Sequence, residues 1–362
     1  MSGPSVVVVT NQTSPYQVEF MDAIAQNGEI DLRVIYLHSQ RPGRQWTPPA
    51  ISHSHRILDG QPARMEEVRP WISQADLAVI AYYQDTFAAE LLRERVKSGR
   101  AWCFWGERMG VTRLATAGAL YRRWKLRCLH NSRAAIWGIG EFALARYRHE
   151  FGTKRVYCNV PYFSDLSRFQ TSRPRTFSGA ERRILCSGSF IKRKGVDVLA
   201  RAFRKVSSGC PNLRLKLLGD GPLRVELQKE LAECADRVTF MGFKDWSELP
   251  GFYQQADVLC VPSRHDGWGL VVPEGLAAGL PVIGTRRTGA ALELIKHNQN
   301  GWLVEAGNEQ QLAAALEAVA RLSADQLREC SSAALTSVKN HSLAIGVRRF
   351  EEAVSATQSG WN

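Results

Sequence analysis

The sequence lacks several features that would assign it to a familiar class of protein. No stretch approaches the roughly 18 consecutive apolar residues of a membrane-spanning helix. The valines at 6–9 follow no basic segment, so we expect a buried strand there rather than part of a signal peptide. The eight cysteines include no Cys-x-x-Cys pair. This pattern favours reduced thiols in a cytoplasmic protein and argues against a structural zinc site.

Common nucleotide- and metal-binding signatures are also missing. There is no GxxxxGK[ST] loop, which argues against a P-loop hydrolase, and no GxGxxG after the first apolar run, which argues against NAD binding there. The chain contains no Asp-x-Asp. We therefore expect no metal-held diphosphate, no metal site and no cofactor.

Positive charge is what the sequence has in excess. Lys and Arg number 47 against 35 Asp and Glu, a formal net charge of +12, which implies an anionic partner. Between Arg108 and Gly140 the chain carries seven basic residues and no acid. No nucleic-acid-binding signature accompanies them. We therefore expect a phosphorylated substrate or an anionic membrane surface as the partner, and no nucleic acid.

Short apolar runs alternate with helical patterns along most of the chain, which predicts α/β architecture with parallel sheets. The pattern restarts after residues 165–182, a Ser-, Thr-, Arg- and Pro-rich stretch that we interpret as a linker. We predict two doubly wound, Rossmann-like domains facing across a cleft. They are a first domain at 1–164 and a second domain at 183–340, with a C-terminal helix at 341–362 expected to pack back on the first domain.

Two helix starts carry the pattern of a capping box, in which two side chains three residues apart satisfy backbone N–H groups reciprocally. Ser14 with Gln17 opens the first helix, and Asn308 with Gln311 opens a helix near the C-terminus. We expect both boxes to form.

Two strand-to-helix turns in the second half carry candidate functional residues. Gly188-Ser-Phe-Ile-Lys-Arg-Lys-Gly195 contains three cations, which suits a diphosphate, although a solvated basic loop explains this stretch alone equally well. In the other turn, Asp266 and Glu274 flank two glycines, which expose backbone N–H groups. Amides for a phosphate and carboxylates for hydroxyls indicate a sugar nucleotide. The simpler alternative is a helix start stabilised by an acid.

These turns resemble those of the family-4 retaining glycosyltransferases, which have the GT-B fold. The resemblance rests on GSFIKRKGVD (188–197), LGDGP (218–222), FMGF (240–243) and DGWGLVVPEGLAAGLPV (266–282), in the family's order and at similar spacing. It implies a hexosyltransferase-like enzyme that uses a nucleotide-sugar donor and a glycan or lipid-linked acceptor. The expected process is synthesis of a cell-surface polysaccharide, lipopolysaccharide or glycolipid.

The resemblance also implies roles for the two acids. Asp266 and Glu274 occupy the acidic positions of the family's Glu-x7-Glu motif. Glu274 would hold the donor ribose, and Asp266 would hold the sugar and diphosphate together with the amides of Gly267 to Leu270. Because Asp266 is one methylene shorter than the family's glutamate, its reach to the sugar differs.

The cations follow the same comparison. Lys194 matches the family's phosphate-binding lysine, whereas Ser189 stands where the family has an arginine, so Arg193 or Lys192 would supply the missing charge. The residues expected to bind the donor are Ser189, Arg193, Lys194, Gly242, Phe243, Gly267, Trp268, Gly269 and Leu270. The family retains anomeric configuration, which is usually described as a front-face displacement aided by the leaving diphosphate.

In the first half, Glu107 follows an apolar run and is expected at the carboxyl end of a strand. We count it with Asp266 and Glu274 as a catalytic candidate that contacts the reacting sugar or the acceptor. A structural salt bridge with Arg108 is the alternative.

The acid-free basic run contains a second candidate surface. Helical spacing groups Leu120, Tyr121, Trp124 and Cys128 on one face, and aromatic rings beside cations are typical of an interfacial helix. The expected membrane residues are Arg122, Arg123, Trp124, Lys125 and Arg127. Leu126 and Leu129 support the alternative, an ordinary helix with a core face. We favour a peripheral location on the inner face of the cytoplasmic membrane.

Two other functions remain open on the sequence alone. A sugar-nucleotide epimerase would use the same fold and donor site. A non-catalytic sugar-nucleotide-binding protein would keep the site without the reaction.

Overall fold

The computed structural model describes residues 3–40, 46–81, 85–108, 123–124, 126–170, 175, 177 and 180–361. Contacts between residues divide the chain into two compact units. The first unit combines Met1–Ser164 with Leu343–Asn362, and the second is Asp165–Ser342. Each contains one parallel sheet, which is the α/β organisation that the sequence predicts.

The sheet of the first unit has seven strands in the order β3-β2-β1-β4-β5-β6-β7. These strands are β1 (Ser5–Gln12), β2 (Asp31–His38), β3 (Ser54–Ile57), β4 (Leu77–Ile80), β5 (Trp102–Gly106), β6 (Ala135–Gly138) and β7 (Tyr157–Asn159). The valines at 6–9 are buried in β1, as expected for a parallel strand that helices cover on both faces.

The helices of the first unit come from residues 15–151 and from the C-terminus of the chain. They are α1 (Pro15–Asn27), α2 (Pro62–Gln74), α3 (Thr86–Lys97), α4 (Arg127–His130), α5 (Glu141–Phe151) and the C-terminal helix (Leu343–Trp361). In the C-terminal helix, Phe350 packs edge-on against Trp137 of β6, with ring centroids 5.1 Å apart. The indole of Trp137 donates a hydrogen bond to the Thr357 hydroxyl at 2.9 Å. This helix therefore belongs to the core of the first unit.

The sheet of the second unit has six strands in the order β10-β9-β8-β11-β12-β13. These strands are β8 (Arg182–Ser187), β9 (Leu213–Leu218), β10 (Val238–Gly242), β11 (Val258–Val261), β12 (Val282–Thr285) and β13 (Gly301–Val304). The strand order reverses between β8 and β11. The loops that follow these two neighbours diverge, and ligands of doubly wound folds bind in the crevice at such a position.

Helices flank this second sheet as well. They are α6 (Val196–Ser207), α7 (Arg224–Glu230), α8 (Leu249–Gln254), α9 (Val271–Ala277), α10 (Gly289–Leu294), α11 (Glu309–Arg321) and α12 (Ala324–Ser337). Within the part of the chain that the structure describes, no helix combines the length and the apolar character needed to cross a bilayer.

The stretch 165–182, interpreted from the sequence as a linker, falls within the second unit, and two of its described residues show how it packs there. Phe169 is buried, and its ring centroid lies 5.1 Å from that of Tyr253. The Arg175 guanidinium donates to the backbone carbonyls of Ala278, at 2.9 Å, and of Ala256. An arginine that satisfies carbonyls at the ends of two helices ties this stretch to the unit.

The two predicted capping boxes do not form as expected. At α1, the Ser14 carbonyl accepts the Gln17 N–H, so the Ser14 hydroxyl instead donates to Gln17 Oε1 at 3.1 Å. At α11, the Asn308 side chain does accept the Gln311 N–H at 3.0 Å. The Gln311 side chain, however, accepts the N–H of Glu305 at 2.7 Å, so the reciprocal half is missing there.

Candidate functional site

The turns after β8 and β11 meet at the point where the strand order of the second unit reverses. Lys194 Nζ donates to Asp266 Oδ2 at 2.6 Å, across 72 residues of sequence. Arg193 Nη1 lies 3.9 Å from Asp266 Oδ1 and donates to the carbonyl of His265 at 3.1 Å. The structure thus brings together an acid and two cations that come from separate sequence motifs.

Gly195 permits this close approach of the two turns. Its φ is +69°, and a Cβ at this position would lie 2.0 Å from the carbonyl oxygen of Pro262. No side chain fits in that space, and the left-handed conformation itself disfavours residues with a Cβ. The glycine therefore lets the backbone after β8 lie directly against the end of β11.

An ion pair between a buried aspartate and a half-buried arginine also connects the two turns. Arg264 donates to both carboxylate oxygens of Asp197, at 2.6 and 2.7 Å. Burial raises the pKa of Asp197, but the hydrogen bonds from Arg264 outweigh it and leave the pKa below 3.8. Asp197 lies in one of the sequence motifs, but its pairing with Arg264 was not predicted. Nothing in the spacing of the two residues indicates the pair.

Glu274 lies on α9 and has a specific partner on α8. The phenol of Tyr253 donates to Glu274 Oε2 at 3.0 Å. Burial, and next the neighbouring Glu274 carboxylate, raise the pKa of Tyr253 well above 10, so the phenol keeps its proton. Sequence reasoning missed Tyr253, because a single tyrosine outside any recognised motif carries no signal.

The segment between the two acids turns its largest side chain inward. Trp268 is buried, and its ring stacks on His341 with centroids 5.5 Å apart. Gly269 has φ +88°, and a Cβ there would meet the Thr288 methyl group at 2.7 Å. The indole is therefore part of the packing of the second unit. The expected role of the Trp268 backbone amide in donor binding stays a prediction.

The remaining donor-binding candidates follow the ends of β8 and β10. Ser189 is exposed in the turn after β8. The Gly242 carbonyl accepts the N–H of Gly219 at 2.8 Å, which joins the ends of β9 and β10. The Phe243 ring directly beyond is 41% exposed and therefore available to stack on a planar group.

Lys192 does not contribute charge at Asp266. Its amine pairs with Glu226 at 2.8 Å and lies 3.8 Å from Asp197, and its side chain is 61% exposed against 21% for Lys194. Of the two cations expected to replace the family's arginine, only Arg193 approaches Asp266. The assignment of the missing charge to Arg193 or Lys192 stays a prediction, and Arg193 is the better placed of the two.

Glu107 follows β5 in the first unit. The Tyr147 phenol donates to its backbone carbonyl at 2.6 Å, and its carboxylate is hydrogen-bonded to Tyr162. The Arg108 guanidinium stacks 3.8 Å above the Phe142 ring. The catalytic role of Glu107 stays a prediction.

The predicted membrane residues are described only in part. Arg122 and Lys125 lie outside the described residues, while Arg123 and Arg127 are exposed. Trp124 is 63% exposed, whereas Leu126 and Leu129 are buried. The stretch therefore has both a core face and an outward-facing indole beside cations.

Among the residues that the structure describes, no three His, Cys, Asp or Glu side chains are grouped so that they could hold a metal ion. The chemistry of the site described above is that of lysine, arginine and carboxylate side chains. These groups suit a diphosphate and hydroxyls.

Residues 168–336 match the family model of the glycosyl transferases group 1. The matched segment, a little under half of the chain, is similar to this family. The match confirms the resemblance identified from the sequence motifs, and it spans the turns after β8 and β11 that Lys194 and Asp266 join.

Curated relatives are similar to part of this chain. A GDP-mannose-dependent alpha-(1-6)-phosphatidylinositol monomannoside mannosyltransferase of Mycobacterium tuberculosis is 28% identical over 239 residues, which are 62% of this chain and 60% of the relative. The amylovoran biosynthesis glycosyltransferase AmsK of Erwinia amylovora is 33% identical over 153 residues, 40% of this chain and 37% of the relative. The chain thus spans at most about 60% of the length of these relatives.

Solved structures resemble nearly the whole chain. HepE of Anabaena in complex with UDP superposes with a TM-score of 0.75 at 14% identity, covering 97% of this chain and 99% of that one. Sucrose-phosphate synthase of Thermosynechococcus elongatus gives 0.74 at 18% identity, with 96% and 98% covered. At such identity the likeness shows the fold alone, and the predicted GT-B fold class is confirmed.

Proposed function

We propose that the protein is a retaining glycosyltransferase that moves a sugar from a nucleotide-sugar donor to a glycan or lipid-linked acceptor. The contact between Lys194 and Asp266 carries this proposal. It joins a cation suited to a diphosphate with an acid suited to sugar hydroxyls, at the strand reversal where doubly wound folds bind ligands.

The donor would be held by charge and by hydrogen bonds at its two ends. Lys194 and Arg193 would bind the diphosphate, and Asp266 would accept hydrogen bonds from the sugar. Glu274, positioned by Tyr253, would accept hydrogen bonds from the ribose hydroxyls. Phe243 would stack on the base. Each contact fixes the donor without covalent chemistry, so catalysis would depend on positioning and charge stabilisation.

The reaction would exchange one bond at the anomeric carbon. The bond from this carbon to the diphosphate oxygen breaks, and the acceptor oxygen bonds to the same face of the sugar. The acceptor proton passes to the departing diphosphate, whose negative charge Lys194 and Arg193 stabilise. Because these cations can neutralise the diphosphate, we propose that turnover needs no metal. Activity that persists in excess chelator would agree with this, and activity restored only by added Mg²⁺ or Mn²⁺ would contradict it.

The names of the relatives suggest donors to test. The mycobacterial relative is named for GDP-mannose, and HepE was solved with UDP and glucose. A thermal-shift screen should compare GDP-mannose, UDP-glucose, an ADP-sugar and a dTDP-sugar. A ligand that binds only the native state stabilises it by about 2.7 kcal/mol at 100 times its Kd. One nucleotide should therefore raise the melting temperature clearly. No shift with any sugar nucleotide, at millimolar concentration, would contradict the proposal.

We also propose that the enzyme works at the inner face of the cytoplasmic membrane on a lipid-linked acceptor. Exposed Arg123, Trp124 and Arg127 support this location, because each cation near an anionic surface contributes roughly 1 kcal/mol. The protein should cosediment with anionic vesicles and not with zwitterionic ones, and high salt should release it. If the unsubstituted protein does not cosediment with anionic vesicles at low salt, an acceptor without a lipid is favoured instead.

A further inference from the structure

A groove runs along the outer side of α3 in the first unit. It contains a cavity of about 520 Å³ between this helix and the side chains of Trp124, Arg127 and Cys128. Its wall on α3 includes Ala89, Leu92 and Val96, which follow the spacing of one helical stripe. Leu92 is buried in the core of the first unit, Ala89 is half-buried and Val96 is exposed, so the stripe runs from the core out to the surface.

Two side chains leave apolar surface uncovered at this groove. Val96 is 41% exposed and Trp124 is 63% exposed, and both line the cavity. Large apolar side chains that stay exposed together beside a concave surface indicate a binding site rather than ordinary surface scatter.

Cations surround the groove. Arg93, Lys97 and Arg127 line it and are exposed. Considering the described residues only, no carboxylate lies within ion-pair distance of any of these three. The acids of α3 point elsewhere, since Glu90 and Glu94 both pair with Arg69 of α2.

One acid, Asp85, also lines the groove, but it is engaged. Its carboxylate accepts the N–H of Phe87 at 2.8 Å as the N-cap of α3. It also lies 3.4 Å from the His38 imidazole. The charge that the groove offers to a ligand is therefore positive.

We propose that this groove binds one acyl chain of an anionic membrane phospholipid, with the headgroup phosphate on Arg93, Lys97 and Arg127. The lining extends from Asp85 to Lys97, a rise of about 18 Å along the helix. One leaflet of a bilayer has roughly 15 Å of hydrocarbon. An acyl chain needs no hydrogen-bond partner along an apolar wall, whereas a peptide backbone would.

This inference deepens the proposed membrane association and rests on it. The surface cations alone would hold the protein near an anionic leaflet by charge. The groove adds a specific site, in which a single lipid chain leaves the bilayer core and contacts Trp124 directly.

The first test uses quenching by bromine. Vesicles of phosphatidylglycerol with dibrominated acyl chains should quench the fluorescence of the parent protein, and Trp124→Phe should remove most of this quenching. The substitution is needed because the chain has 10 tryptophans. Cys128, which also lines the groove, gives an independent measure. The vesicles should protect it from maleimide labelling, while Cys330 of α12 should label at an unchanged rate.

The second test uses a matched pair of substitutions. Val96→Asp places a carboxylate in the groove, and Val225→Asp makes the same change at another exposed helical valine, on α7 of the second unit. Both variants lose one unit of net charge, so general electrostatic attraction falls equally. We expect Val96→Asp to weaken binding to phosphatidylglycerol vesicles roughly tenfold or more. Val225→Asp should behave like the parent.

The outcomes separate the groove from membrane association and from sugar transfer. If the parent binds anionic vesicles but the two valine variants bind equally, or quenching is the same in Trp124→Phe, the groove proposal is overturned and peripheral association stands. If the parent binds no anionic vesicles, both fail. A donor-induced thermal shift would in either case leave the transferase proposal intact.

Discussion

The phenol of Tyr253 donates a hydrogen bond to Glu274 at 3.0 Å and thereby connects α8 to the candidate donor site. Tyr253 is fully buried, and Phe169 packs against its ring. A phenol held in this way restricts the carboxylate of Glu274 to one orientation. The carboxylate would then face the donor without first losing rotamer freedom.

Removing this hydrogen bond should weaken the donor complex. Glu274→Ala should cost on the order of 2 kcal/mol in donor binding, as for a lost hydrogen-bonded charge. Tyr253→Phe should cost about 1 kcal/mol, because Glu274 remains but is less well oriented. In the Glu274→Ala background, Tyr253→Phe should have no further effect. Isothermal titration with the donor nucleotide measures all three values.

A control substitution distinguishes this effect from a general loss of packing. Tyr157 of β7 donates its phenol to the Gly152 carbonyl in the first unit. Tyr157→Phe should leave donor affinity unchanged. Additive losses in the double variant would show that Tyr253 acts independently of Glu274.

Lys194 and Lys192 form a second matched pair. Lys194→Ala should lower kcat/KM at least roughly tenfold, because a charge-assisted contact to the diphosphate and to Asp266 is lost. Lys192→Ala breaks only an exposed pair with Glu226, and such pairs contribute roughly 0–1 kcal/mol. The measurement is a transfer assay with the donor found by thermal shift. If both variants lose equally little kcat/KM, the lysines belong to a solvated basic loop.

Gly195 allows a test of the contact between the two turns. Gly307 also has a left-handed backbone, φ +79°, with no atom within 4 Å of an added Cβ, so Gly307→Ala measures conformational strain alone, about 1–2 kcal/mol. Gly195→Ala adds a collision with the Pro262 carbonyl and should cost about 1–3 kcal/mol more. Denaturant unfolding of both variants measures the difference. Equal costs would mean that the two turns can separate freely.

His53 lies in a buried polar group of the first unit that makes stability depend on pH. Its Nδ1 is 2.6 Å from Asp22 Oδ1, and its Nε2 is 3.2 Å from the Tyr36 hydroxyl. Burial raises the pKa of Tyr36, so its hydroxyl keeps its proton and donates to Nε2, which leaves Nδ1–H to donate to Asp22. The ring of His55 is the other titratable neighbour, with centroids 5.8 Å apart.

The neutral form of His53 should therefore stabilise the fold. Burial lowers the pKa of His53 below 6.5, although the hydrogen bond that His53 donates to Asp22 acts in the opposite direction. Below pH 6.5 the unfolded chain then binds more protons than the native one, so the free energy of unfolding falls on acidification. For one group the slope reaches at most about 1.4 kcal/mol per pH unit. Denaturant unfolding between pH 7.5 and 5.0 should show a flatter profile for His53→Gln than for the parent.

Burial also lowers the pKa of His130, but His130 is present in both proteins, so the difference between them reports on His53. Burial raises the pKa of Asp22, but its hydrogen bonds with Ser52 and His53 bring it below 3.8. Its contribution is consequently lost only at lower pH. His149→Gln, an exposed histidine on α5, is the matched control and should keep the slope of the parent. If the free energy of unfolding of His53→Gln depends on pH as steeply as that of the unsubstituted protein, the pH dependence comes from another group.

The strands were predictable from the sequence wherever they are buried on both faces. The apolar runs of β1 and β11 needed no other information, because parallel strands covered by helices are apolar throughout. β3 was missed, since Ser54–Ile57 is an edge strand with exposed polar residues. β6, Ala135–Gly138, is the exception: it is buried as well, but its sequence, Ala-Ile-Trp-Gly, has only two large apolar residues and gives a weak strand pattern.

The sequence by itself determined that the turns after β8 and β11 form one site, because glycines and strand ends place them at the same edge of the sheet. The resemblance singled out Lys194, but only the tertiary structure showed that Lys194 contacts Asp266 and that Lys192 turns away from it. Lys192–Lys194 forms a 3-10 turn, and three residues per turn send consecutive side chains in three directions. Lys192 therefore reaches Glu226 while Lys194 reaches Asp266. Spacing alone could not distinguish two lysines so close in sequence, since the partner of each comes from a distant part of the chain.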